Sequence, residues 1–174
     1  MHLLSAALVL LNSLQGTPQR PPVQFSVPPP SEWVHIDGGK NPELIPEWSV
    51  WDTAFRMFVT VGNLPTAVLQ VLTKDEAAAI QAAANQHGKI TAECEARGLK
   101  LVPLLGKETA RVINEKTQAL NLDCRKQTLS LRDLSLESLR ADARVALTQW
   151  VEELKKGMRA SVPKAELEFY LQPR

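Results

Sequence analysis

Prolines divide this chain into a segment that cannot be helical and a longer remainder that can. Eight of the twelve prolines lie between Pro18 and Pro46. Proline fixes φ and lacks a backbone N–H, so it is disfavoured inside helices and central strands. Residues 17–46 are therefore predicted to form an extended, polyproline-like arm, which either hangs free or lies across the folded body. Its role is left open between a tether and a docking site for a partner.

The first sixteen residues have the layout of a secretory signal peptide. An apolar run follows Met1–His2, and a more polar stretch ends at Gly16, before Thr17 and Pro18. The run is too short to cross a membrane but fits the apolar core of a signal. A buried N-terminal helix is the alternative. The absence of any Asn-x-Ser/Thr sequon favours a bacterial over a eukaryotic exported protein.

Helical periodicity dominates from Pro46 onward. Trp48, Trp51, Phe55 and Phe58 share one face of a first helix that ends near residue 62. A capping box at Thr73 and Glu76 opens a long helix that ends near Gly98. A third helix is predicted over 107–131, and a fourth from an N-cap at Ser135. The fourth carries the clearest apolar stripe, which consists of Leu139, Ala143, Ala146, Leu147, Trp150, Leu154 and Met158.

These patterns predict an all-α fold, roughly a four-helix bundle or helical hairpins behind the proline-rich arm. The predicted divisions are a signal peptide at 1–16, the arm at 17–46, a helical domain at 47–160 and a C-terminal tail at 161–174. The predicted core contains Trp48, Trp51, Phe55, Ile80, Ile113, Leu120, Leu147, Trp150 and Leu154.

Composition narrows the classes of partner. The chain has 20 basic and 19 acidic residues, and such a balance argues against a nucleic-acid footprint or a patch for anionic membranes. No apolar stretch after the signal approaches membrane-spanning length. The mature chain is therefore expected to be soluble, with a protein or peptide as its unidentified partner.

The two cysteines, Cys94 and Cys124, are expected to remain unbonded, although an oxidising compartment favours a disulfide. In an antiparallel hairpin of helices 74–98 and 107–131, the numbers of two residues at the same height add up to about 205. Cys94 would then lie level with residue 111, which is thirteen positions or about 20 Å from Cys124. A disulfide needs Cα atoms within about 7 Å. A break of the helix at Gly88 would remove this objection.

Residues with potential chemistry form no recognisable site. His87 and Cys94 lie two helical turns apart, and His35 and Asp37 precede a Gly38–Gly39 turn that a solvated loop explains. Residues 98–107 lack the spacing of a phosphate loop, and no nucleophile elbow occurs. The acidic pairs at 152–153 and at 166 and 168 are typical of solvated surfaces. We therefore expect no enzyme, and assign no catalytic, cofactor-binding or metal residues.

Two helix starts carry a family resemblance. Residues 72–76 (Leu-Thr-Lys-Asp-Glu) and 134–138 (Ser at 135) resemble the Leu-Thr-x-x-Gln motifs of periplasmic stress chaperones and metal-stress adaptors, although neither ends in glutamine. Residues 64–158 also resemble small exported all-helical bacterial proteins. A hydrophobic residue before a helix cap explains both segments equally well. The resemblance implies a non-enzymatic binding protein, with a chaperone-like envelope role as one form; the alternative is an interaction module that docks a partner through the arm.

Overall fold

A computed structural model describes residues 30–164 and 167–168 of the chain. Within these residues the fold is largely all-α, which confirms the predicted class. The helices are α1 (Glu47–Phe58), α2 (Thr66–Leu69), α3 (Lys74–Leu99), α4 (Ala110–Glu137) and α5 (Ala141–Gly157). The other described elements are two short strands, β1 (Trp33–Asp37) and β2 (Arg159–Pro163), and four 3₁₀ turns of three residues each. The predicted signal peptide at 1–16 lies outside the described residues.

Helix α1 occupies the centre of the fold because its apolar residues bury a broad face. Val50, Trp51, Ala54, Phe55 and Phe58 are all buried. The Phe55 ring meets the Phe58 ring edge to face, with 5.7 Å between centroids, an arrangement that aromatic pairs favour. Helices α3, α4 and α5 all pack against α1. This central helix therefore supplies the partner that the other amphipathic faces need.

The predicted core is confirmed in part. Trp51, Phe55, Ile80, Ile113 and Leu147 are buried, whereas Trp48, Leu120, Trp150 and Leu154 are only partly buried. The α5 stripe points inward as predicted, with Leu139, Ala143 and Leu147 almost fully enclosed.

The start of α3 matches its prediction. Thr73 Oγ1 accepts from the Glu76 N–H, and the Glu76 carboxylate accepts from the Thr73 N–H, so the capping box is complete. Glu76 also accepts from the backbone and the guanidinium of Arg140 at the start of α5. The hydrogen bonds from Arg140 and Thr73 lower the pKa of Glu76 to about 2. A local capping motif thus also joins two helices that are distant in sequence.

Three predicted helix boundaries are wrong. Helix α3 ends at Leu99, close to the predicted end near Gly98, but helix α1 ends at Phe58, four residues before the predicted end near residue 62. Helix α4 extends from Ala110 to Glu137, beyond the predicted end at 131. Ser135 is no N-cap: it lies inside α4, and its hydroxyl donates to the Leu131 carbonyl one turn earlier. Serine can make this bond within a helix, so it need not mark a helix start.

The described part of the proline-rich segment lies across the folded body, one of the two arrangements that the sequence left open. Strand β1 pairs antiparallel with β2, in a register that sets Val34 opposite Val162 and Ile36 opposite Ala160. Ile36 and Ile45 are each only 2 % exposed and belong to the core. Residues 17–29 of the predicted arm, and residues 165–166 and 169–174 of the tail, lie outside the described residues.

A glycine makes the junction of β1 and α5 possible. The Gly38 N–H donates to the Met158 carbonyl over 2.8 Å. A β-carbon at position 38 would lie 2.1 Å from the Lys155 carbonyl oxygen. Only glycine allows the two backbones to approach this closely. This contact fixes the strand pair to the end of the last helix.

Candidate functional site

Cys94 and Cys124 form a disulfide between α3 and α4. Their Cα atoms lie 6.2 Å apart, within the range that a disulfide requires. The expectation that these cysteines are unbonded is therefore wrong. The proposed exception, a break at Gly88, is not the reason, because α3 is one continuous helix from Lys74 to Leu99.

The error lay in the register of the hairpin. Besides the disulfide, an ion pair joins Arg97 to Asp123 over 2.6 Å. A β-carbon at Gly98 would touch Leu120 at 3.9 Å. In these contacts the numbers of the facing residues add up to about 218, and not to about 205 as the sequence analysis assumed. Because α3 ends at Leu99, the first turns of α4 project about 13 Å beyond it.

A cleft of about 220 Å³ lies on the α1 side of the disulfide. We call it the proximal cleft. Its walls come from α1, α3 and α4, and are Trp48, Asp52, Ile90, Thr91, Cys94, Asn121, Cys124, Arg125 and Thr128. Three helices therefore converge on a space that the disulfide also lines.

Trp48 forms the aromatic wall of the proximal cleft. The guanidinium of Arg125 lies 4.2 Å from the centre of its ring, which is cation–π geometry. The indole Nε1 is buried and has no hydrogen-bond partner among the described residues. A buried polar atom without a partner is uncommon in folded proteins and is often found at sites that bind water or ligands.

An ion-pair cluster adjoins the proximal cleft through Asp52, which lines the cleft. His87 is buried and its ring stacks on Phe55, with 5.1 Å between centroids. His87 Nε2 lies 2.9 Å from Asp52 Oδ1, and Arg56 Nε lies 3.0 Å from Asp52 Oδ2. The hydrogen bond with His87 and the pairing with Arg56 lower the pKa of Asp52, although burial opposes this. An ionised carboxylate only accepts, so Nε2 carries the proton.

A second cleft of about 330 Å³ lies on the other side of the disulfide, and we call it the distal cleft. It is lined by Thr91, Cys94, Glu95, Gly98, Leu101, Thr117, Leu120, Asn121 and Cys124. Four of these residues, Thr91, Cys94, Asn121 and Cys124, also line the proximal cleft. The two clefts thus follow each other along the seam of the hairpin, and together we call them the disulfide groove.

The other residues that the sequence analysis considered lie elsewhere. His35 Nδ1 lies 2.8 Å from Ser161 Oγ on the strand pair. Asp37 Oδ1 accepts from the Gly39 N–H and so fixes the predicted turn. Among the described residues, no group of three or more His, Cys, Asp or Glu side chains is arranged to hold a metal ion. None of the helices in the described part of the chain combines the length and the apolar character needed to cross a bilayer.

Sequence reasoning missed the groove because its walls were assigned to other roles. Trp48 was placed in the core, and Arg125 and Asn121 were not considered. Asp52 and Arg56 pair at the i, i+4 spacing that a helix brings together, but this spacing gives no indication of the contact between Asp52 and His87. One signal was available: Cys124, Arg125 and Thr128 lie on adjoining positions of one helix face.

Comparisons with known proteins identify no relative, since no family model, curated protein or solved structure matches this chain.

Proposed function

We propose that this chain is an exported, non-enzymatic binding protein that holds an apolar segment of a partner protein in the disulfide groove. The observation that carries the proposal is the pair of adjoining clefts along the α3–α4 seam, joined by the disulfide. Binding sites are typically concave and apolar, with a few polar groups that set orientation. A chaperone-like role in the cell envelope is the form of binding that we favour.

The chemistry of the groove favours side chains over a cofactor. The proximal cleft, at about 220 Å³, is smaller than the roughly 300–1,000 Å³ of drug-sized pockets. Leu101 and Leu120 give the distal cleft an apolar end, whereas Trp48 supplies a flat aromatic surface at the other. A row of small apolar clefts suits successive side chains of a peptide segment, as in helix-in-groove recognition.

The disulfide preorganises this site. It holds α3 and α4 together at the middle of the groove. A preformed groove loses less conformational entropy when a partner binds, which leaves more of the contact energy for affinity. Disulfides persist in oxidising compartments, so the bond accords with export through the predicted signal at 1–16.

A substitution at the shared section of the groove tests the proposal. Thr91→Arg places a long charged side chain where both clefts meet, and Ala92→Arg adds the same side chain at the exposed neighbouring position. Aggregation of citrate synthase, diluted from guanidinium, is followed by light scattering at equimolar protein. The wild type and Ala92→Arg should suppress aggregation, whereas Thr91→Arg should not. Circular dichroism verifies that both variants fold.

Two results would overturn the proposal. Failure of the wild type to protect the client removes the chaperone-like role. Equal protection by Thr91→Arg and Ala92→Arg means that the groove is not the binding surface. Export is tested separately by the mass of the protein recovered from the producing cells' periplasm or medium, which should begin at Thr17.

The alternative function, docking of a partner on the arm, is tested by a deletion within the arm. This deletion must be shorter than the predicted arm at 17–46. Deleting all of this range would remove β1 and the buried Ile45, and would damage the core. Deleting only 17–29 leaves every described residue in place. If client protection survives this deletion, the arm is not the docking element.

A further inference from the structure

The end of the α3–α4 hairpin exposes apolar side chains to solvent. We call residues 99–107 the hairpin tip; their sequence is Leu-Lys-Leu-Val-Pro-Leu-Leu-Gly-Lys. Leu99 is 70 % exposed and Val102 is 47 % exposed. Leu99 has the largest exposed fraction of the large apolar residues that the structure describes. Apolar groups concentrated at one point of a surface often mark an interaction site.

The tip has a defined backbone, which keeps these side chains outward. Val102–Leu104 form a 3₁₀ turn, and the Leu105 N–H donates to the Val102 carbonyl over 3.0 Å. The Lys107 N–H donates to the Leu104 carbonyl over 2.9 Å. Gly106 has φ of 84°, a conformation that favours glycine. The exposed side chains are thus presented by an ordered turn.

Two lysines without ion-pair partners in the described part of the chain flank the apolar tip, and Glu95, one helical turn before Leu99, is exposed as well. Residues 97–123 contain three acidic side chains, and each pairs with a basic one: Glu108 with Lys116, Glu115 with Arg111, and Asp123 with Arg97. Lys100 and Lys107 are exposed and have no ion-pair partner among the described residues. The near-neutral balance of the whole chain hides this local excess, which the sequence analysis did not detect.

The tip is also distant from the main core. The buried core residues of α3 are Ile80, Ala83 and Ala84. From Ala84 to Leu99, α3 advances about 22 Å. Helix α3 therefore carries Leu99 well beyond the core, to a side of the hairpin tip next to the first turns of α4.

We propose that the hairpin tip is a peripheral docking site for an anionic lipid bilayer. Leu99 and Val102 would enter the boundary between headgroups and acyl chains, while Lys100 and Lys107 contact anionic headgroups. Interfacial binding combines buried apolar area with electrostatic attraction to anionic lipids, and the tip supplies both. The protein remains on the surface of the bilayer.

Co-sedimentation of the full mature chain with lipid vesicles tests this inference. Vesicles of phosphatidylcholine with about 30 % phosphatidylglycerol are compared with pure phosphatidylcholine vesicles. The wild type should bind the anionic vesicles, and the binding should weaken as salt is raised. Equal binding to both vesicle types, or binding to neither, overturns the proposal.

Paired variants separate the tip from the rest of the surface. The double variant Leu99→Ser, Val102→Ser should lower the partition coefficient between water and anionic vesicles at least about tenfold. The control variant Leu134→Ser, Val145→Ser removes exposed apolar residues elsewhere on the protein and should leave this coefficient unchanged. Lys100→Gln with Lys107→Gln should lower it about thirtyfold.

A charge control uses Lys40→Gln with Lys74→Gln, both exposed and outside the tip, which should retain binding. Equal losses in the tip and control variants would overturn the assignment. Analytical ultracentrifugation tests whether the tip binds a second copy of the chain and not a bilayer. A wild-type dimer that becomes monomeric in the Leu99→Ser, Val102→Ser variant would show that it does.

Discussion

Replacing both Cys94 and Cys124 by alanine removes the cross-link that closes the α3–α4 hairpin. The two cysteines are separated by 30 positions in sequence. In the chain-entropy model, closing a loop of about 30 residues lowers the entropy of the unfolded chain by about 12 cal/mol/K. This corresponds to about 3.6 kcal/mol at 25 °C. A typical domain has only about 5–15 kcal/mol of stability, so the loss should be large.

Urea denaturation followed by circular dichroism measures this change in the free energy of unfolding. The variant should also show a larger m-value, because its unfolded state is no longer compacted by the cross-link. Reduced wild-type protein provides a matched control and should lose a similar amount of stability. A stability difference below about 1 kcal/mol would refute the reasoning, as would two alkylated thiols in the unreduced, denatured wild type.

The loss should be concentrated in the distal half of the hairpin. Beyond the main core, the buried hydrophobic residues that the structure describes there are Ile90 and Ile113. Few buried contacts make a segment open at low free energy once a cross-link is removed. Hydrogen exchange should therefore accelerate most in residues 89–123 of the double variant, and uniform acceleration across α1 and α5 would contradict this.

Three further predictions follow from the core and the capping cluster. Phe55→Ala should lower the free energy of unfolding by about 3–5 kcal/mol, because Phe55 is fully buried. Val59→Ala, at an exposed position, is the control in the same urea assay. Equal effects of the two substitutions would disprove this prediction. Thr73→Ala should cost about 1 kcal/mol by removing the cap on α3, and an unchanged midpoint would show that the cap contributes little. Glu76 has its pKa lowered from 4.5 to about 2 in the fold, so its stabilisation is complete above pH 4.5 and is lost as the pH falls towards 2. Glu76→Gln should flatten the pH dependence of Tm in this window, and parallel curves would exclude this role.

The local parts of the fold could be predicted from the sequence. The capping box at Thr73 and Glu76, the inward stripe of α5 and the helical character of the chain all follow from residues three or four positions apart. Such residues meet in any helix, whatever surrounds it. Boundaries were harder: Ser135 resembles a helix start, yet it lies within α4, because serine can also bond to the preceding turn.

Tertiary structure decided the register of the hairpin and therefore the site. Whether Cys94 meets Cys124 depends on how far residues 100–109 carry the chain before α4 returns. No helical period encodes that distance. The same holds for β1, which requires β2 as its partner across more than a hundred residues. The contact of His87 with Asp52 likewise exists only after α1 has packed on α3. Local chemistry determined the helices, whereas packing between distant segments created the groove, because side chains far apart in sequence meet only in the folded chain.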